Sequence, residues 1–155
     1  MTWRTRLAEA GDAEEVVRLR RLMFVAMGIP VDDQRWEQRC IEYFRAGLGD
    51  KDLVGVVVDN PQRQGLAASG VVEIQRRIPS PVNVAGVRAY LSSVSTDRQW
   101  RRQGMARAVV NHLLRLLRGR GVAEVNLHAT EHGRPLYASF GFSPREGEMV
   151  RRIDG

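Results

Sequence analysis

Apolar positions along the chain change their spacing several times, and each change marks an element boundary. Trp3 to Leu7 alternates polar and apolar residues, which predicts a first strand. Asp12, with Glu15 three positions on, forms a capping-box-like helix start. Val16, Leu19, Leu22, Met23, Ala26 and Met27 then recur at helical spacing until Gly28 and Pro30 stop the pattern. A second helix is predicted over Asp33 to Ala46, with Trp36, Cys40 and Phe44 on one stripe. Gly47 to Asp52 is a loop. Leu53 to Asp59 and Leu66 to Gln75 flank the turn Asn60-Pro61-Gln62-Arg63-Gln64-Gly65 and read as a hairpin.

After the stiff stretch Ile78-Pro79-Ser80-Pro81, Val87 to Ser95 predicts another strand. A helix over Gly104 to Arg118 turns Ala108, Val109, Leu113, Leu116 and Leu117 inward, and Gly119 and Gly121 suit its C-terminal stop. Ala123 to His128 is a fifth strand, Arg134 to Phe140 a short helix closed by Gly141, and Met149 to Arg152 a last strand. With no repeat or linker, the chain reads as one α/β (α+β) domain over residues 1–155. Its sheet is mixed and mostly antiparallel, flanked by helices; the strand–helix–strand unit Val87 to His128 contributes the parallel pair.

Composition narrows this little. Among 155 residues, 43% are hydrophobic and 27% charged, as in ordinary globular proteins. No stretch approaches the roughly 20 apolar residues of a membrane span, and Met1 to Arg6 lacks a signal-peptide core, so a cytoplasmic protein with no membrane partner is expected. The lone Cys40 excludes an intrachain disulfide and a cysteine metal cage, and its neighbours Trp36, Ile41 and Phe44 favour a buried structural thiol. The formal charge of +6 comes from 24 basic residues of which Lys51 is the single lysine, an arginine bias spread along the chain rather than gathered. With no nucleic-acid motif and 6% aromatics, a DNA- or RNA-binding face is the weaker reading.

The chemistry concentrates in Trp100-Arg101-Arg102-Gln103-Gly104-Met105-Ala106-Arg107, between a strand and a helix. Such a turn aims backbone N–H groups and a positive helix end outward, an arrangement that binds phosphate. Leu136-Tyr137-Ala138-Ser139-Phe140-Gly141-Phe142 follows one strand later. Together these segments resemble the GNAT family of acyl-CoA-dependent N-acetyltransferases. The resemblance is specific from Leu91 to Phe142 and, before that, lies in the order of elements. It implies that the turn's amides from Arg102 through Gln103, Gly104, Met105 and Ala106 to Arg107 hold the pyrophosphate of acetyl-CoA, with Arg101 and its neighbours adding charge. Gly104 and Ala106 leave room for that approach. It further implies a splayed strand pair at the cofactor site, with Val94, Ser95 and Thr96 at a bulge whose freed groups pair with the pantetheine arm. The Val94 N–H would donate to the thioester oxygen. Tyr137 is the expected hydrogen-bond donor or acid for the leaving thiolate.

The base that deprotonates the amine stays open among Glu73, His128, Glu131, His132 and an ordered water. Glu73 faces away from Val72 and Ile74; Thr130 stands where the family often has Asn. Asp32, Asp33, Glu37 and Glu42 would either attract a cationic amine or simply solvate a helix face. No placed Cys or Ser–His pair argues for an acyl-enzyme. The expected activity is therefore acetyl transfer to a primary amine of a small molecule or peptide by direct attack through a tetrahedral intermediate, without a metal. The alternative is a non-catalytic acyl-CoA-binding module. Dimers are common in the family, and exposed hairpin edges leave a homodimer open.

Overall fold

The computed structural model describes residues 2–153. Five strands form one sheet in chain order: β1 (Arg6–Leu7), β2 (Leu53–Asp59), β3 (Leu66–Arg76), β4 (Val87–Thr96) and β5 (Val125–Leu127). All neighbours are antiparallel except β4 and β5, which run parallel across the connecting helix as the strand–helix–strand pattern predicts. Helices α1 (Ala13–Ala26) and α2 (Arg35–Gly47) cover one face; α3 (Met105–Gly119) covers the other, and the short α4 (Arg134–Ser139) follows β5. No helix among the described residues is long and apolar enough to cross a membrane.

Both faces of the central strands are buried, which explains the unbroken apolar run in β2. Val54, Val56 and Val58 pack with Met105, Val109, Leu113 and Leu117 of α3, while Leu53 and Val57 pack with Val16, Leu19 and Phe44 of α1 and α2. Gly70 in β3 brings α3 onto the sheet: a Cβ there would lie 2.5 Å from Val109 Cγ1 and 3.0 Å from Leu113 Cδ1.

Several local expectations change. Strand β1 keeps two of its expected residues, because pairing with β2 covers only Arg6 and Leu7. Asp12 accepts from the Glu9 amide at 2.8 Å, so the reciprocal cap lies three residues earlier than expected, ahead of a single 3-10 turn. Met149 to Arg152 forms no strand: Met149 is 94% exposed, and alternation alone forms nothing without a ladder to join.

The feature that positions the site is in β4. Ser93 pairs with Val71 while Leu91 pairs with Val72, so Ser92 is an extra residue and the strand bulges there, before the expected Val94-Ser95-Thr96. Ser92 Oγ donates to Val71 O at 3.3 Å. The β4–β5 register ends at Leu91 opposite Leu127, so from Ser92 onward β4 keeps β3 on one side and has no strand on its β5 side.

Candidate active site

The end of β4 runs into the arginine-rich turn. Asp97 N–H donates to Ala67 O at 2.7 Å. Because inter-strand bonds alternate along an antiparallel pair, the amides of Thr96 and Val94 point away from β3, into the side β5 leaves open. A single 3-10 turn, Arg98–Trp100, then stacks Trp100 edge-on against Trp3, 6.0 Å between centroids. The Trp3 indole N–H donates to Gln103 O at 2.6 Å. That pins the turn from the N-terminal end of the chain, a contact no local motif announces.

Two left-handed residues shape the turn, Arg102 at φ 62° and Gly104 at φ 85°, and Gly104 caps α3. The first α3 bond runs from Ala108 N–H to Gly104 O. Among the described residues the amides from Arg102 to Arg107 donate to no protein acceptor, and nothing lies within 4 Å of a Cβ built on Gly104. The turn thus presents consecutive unspent donors at a helix N-terminus beside open space. Its side chains are less free. Met105 is buried and anchors α3; Arg101 Nε donates to Thr96 O at 3.2 Å; Gln103 Nε2 donates to Gln99 O at 3.4 Å. Arg107 donates to Ser139 Oγ at 3.1 Å and lies 5.3 Å over the Phe140 ring, tying α3 to α4.

On α4, Tyr137 packs edge-on against Phe142 at 5.8 Å and against the core on the α3 face. Burial pushes its phenol above the ordinary tyrosine value. Thr130 Oγ1 accepts from the Gly133 amide at 3.1 Å, opening the helix. Glu131 and His132 are exposed in the preceding turn.

The opposite face gathers the other candidates. Glu73 lies on the α1–α2 side and accepts from Tyr43 OH at 3.0 Å; that bond raises the Tyr43 phenol. Tyr90 pairs directly with Glu73 in the β3–β4 register. Its hydroxyl shares a 3.0 Å hydrogen bond with His128 Nδ1, and burial, with Glu148 nearby, raises its phenol. Glu73 also borders a cleft of about 380 Å³ with Tyr43, Asp50 and Asp52. Tyr43 and Tyr90 escaped the sequence reading, since both sit in ordinary amphipathic patterns. The helix-surface acids are engaged locally: Asp33 with Arg35 at 2.6 Å, Glu37 with Arg21 at 2.7 Å, and Glu42 with Gln38 at 3.2 Å. Cys40 is half-buried, and desolvation raises its thiol, as suits a structural cysteine.

Residues 64–152, more than half of the chain, match the family model of the acetyltransferase (GNAT) domain. The chain belongs to the GNAT acetyltransferase family. The matched region takes in β3, the bulged strand, the turn and α4, so it contains the motifs on which the resemblance rested. A GCN5-related N-acetyltransferase from Ralstonia eutropha JMP134 is 28% identical, with a TM-score of 0.87 over 98% of this chain and 99% of that one. A predicted acetyltransferase with acetyl-CoA from Clostridium acetobutylicum is 21% identical, with a TM-score of 0.85 over 96% and 95%. Glucosamine-6-phosphate N-acetyltransferase from Arabidopsis thaliana is 20% identical, with a TM-score of 0.73 over 99% and 100%. The latter two share the fold. No protein of curated function matches the chain in sequence. Within this GNAT fold, Tyr137 lies on the α3 side and Glu73, Tyr90 and His128 toward the α1–α2 side, with the β4–β5 opening between them.

Proposed function

We propose that residues 1–155 act as one N-acetyltransferase domain that moves the acetyl group of acetyl-CoA to a primary amine of a small molecule or peptide. The observation that carries this reading is the pairing of six unspent amides at the start of α3 with the strand edge opened by the Ser92 bulge. The amides from Arg102 to Arg107 grip the pyrophosphate, and Arg101, Arg102 and Arg107 add positive charge around it. The freed edge of Val94, Ser95 and Thr96 pairs with the pantetheine arm like an added strand. The thioester then lies in the opening, reached from the α1–α2 side by the amine and from the α3 side by Tyr137.

The Val94 amide, directed away from β3, donates to the thioester oxygen and strengthens as that oxygen gains charge under attack. Glu73 takes the proton of the attacking amine: one of its oxygens is held by Tyr43 and the other remains available. His128 has its Nδ1 committed to Tyr90 and orients that hydroxyl beside the nucleophile. Tyr137, kept protonated by burial, donates to the departing sulfur. The amine nitrogen first adds to the thioester carbon to give a tetrahedral intermediate, whose collapse breaks the carbon–sulfur bond and releases the thiol, so no acyl-enzyme is needed.

Calorimetry with coenzyme A and free-thiol release from acetyl-CoA with a panel of amines test the reading. Binding with amine-dependent thiol release is expected. Tight binding without release from any amine would favour a non-catalytic acyl-CoA module, and a folded protein that ignores coenzyme A would end the proposal.

A further inference from the structure

Helix α1 carries three arginines with different fates. Arg18 is spent on Glu15 at 2.6 Å and Asp97 at 3.1 Å, and Arg21 on Glu37 at 2.7 Å. Arg20 has no carboxylate partner among the described residues. It is half-buried, 4.8 Å over the Phe24 ring, and one of its five N–H donors is used, from NH1 to the Ser92 carbonyl at 3.1 Å. Its other N–H donors have no acceptor among the described residues and remain open to a ligand. A second unspent group stands beside it. Ser93 is 4% exposed and its Oγ has no partner. Its partner in register, Val71, packs on the α1–α2 face, so the Ser93 hydroxyl shares that face with Arg20.

We infer that Arg20, assisted by the Ser93 hydroxyl, binds an oxyanion on the acceptor, so that the acceptor is an amine bearing a carboxylate or a phosphate. This rests on the acetyltransferase reading above and names its substrate class. Ser92, where Arg20 docks, is two residues from the Val94 amide, a separation of about 7 Å along a strand. The anion therefore lies within a few bonds of the reacting nitrogen, with Glu73 available to that nitrogen from the neighbouring strand. The surface acids of α2, already paired or solvated, leave no comparable hold for a polycation.

The test compares acceptors that differ only in charge, each rate expressed per unprotonated amine: α-amino acids against their carboxamides, and ethanolamine phosphate against ethanolamine. Thiol release should favour one anionic partner by about tenfold or more in kcat/KM. The carboxylate and phosphate arms identify which oxyanion is taken. Arg20→Met should shrink that preference below about threefold, with Arg20→Lys retaining part of it. As a readout independent of turnover, N-acetyl amino acids and N-acetylethanolamine phosphate should bind the coenzyme A complex at least about tenfold more tightly than their neutral counterparts. Equal use of neutral and anionic amines by the wild type overturns the inference whether or not the variants fold, as does an unchanged preference in Arg20→Met. Transfer without charge preference sinks this inference alone. Absence of transfer to every amine sinks the acetyltransferase reading, and product binding then still decides the role of Arg20.

Discussion

Tyr137 concentrates the residue-scale questions. Its neutral phenol is the form that donates to a thiolate, and burial raises its titration above the ordinary value of 10.0. The acid form therefore persists past pH 10, and any alkaline fall in kcat due to Tyr137 should begin above that pH. Tyr137→Phe should lower kcat about tenfold or more and leave coenzyme A affinity nearly unchanged; undiminished turnover would remove the role. The motif around Tyr137 was legible because Leu136 to Phe142 are consecutive residues of the chain. Arg20, Tyr90 and Ser93 were not. Arg20 meets Ser92 across 72 positions and Tyr90 meets His128 across 38, separations that no short pattern encodes.

At the scale of elements, α3 and β4 set the site, and two glycines show how. At Gly104 a Cβ meets no protein atom within 4 Å, so Gly104→Ala pays mainly for the left-handed backbone, about 1–2 kcal/mol. Coenzyme A affinity should fall further than that cost explains, because the methyl enters the space beside the amides. A stability loss with unaltered affinity would place the pyrophosphate elsewhere. Gly70 is the opposite case: the added methyl strikes Val109 and Leu113. Gly70→Ala should destabilise by about 1–3 kcal/mol through overpacking, read as a lower denaturant midpoint. The three long helices and the central strands followed from periodicity. The bulge at Ser92 and the missing terminal strand did not, since both depend on pairing between distant segments.

The whole molecule is clasped by ion pairs that join the start of α1 to the sheet and to the turn. Arg6 bridges Asp12 and Asp59 at 2.9 Å each, and Arg18 and Arg63 both reach Asp97 at 3.1 Å. The Arg6 guanidinium holds the Asp12 carboxyl below its ordinary value of 3.8, and Arg145 holds Glu124 below 4.5. Groups with depressed folded values stabilise fully above their unfolded values and lose that contribution as pH falls through the folded ones. The thermal midpoint should hold above pH 5 and decline as pH drops below about 4, with Asp12→Asn flattening part of the decline. A midpoint insensitive to acid would contradict the clasp.

The succession of strands and helices, the Gly104 turn and the Tyr137 segment were written in adjacent residues, because helix periodicity, strand alternation and turn geometry act over a few positions. Folding in three dimensions determined the rest. It brought Trp3 onto Gln103, set the extra residue at Ser92, ended the β5 pairing at Leu91 and left Arg20 without a carboxylate. Those outcomes depend on which distant segments share a sheet edge or a helix face. Long-range hydrogen-bond register and packing, rather than residue order, choose those partners.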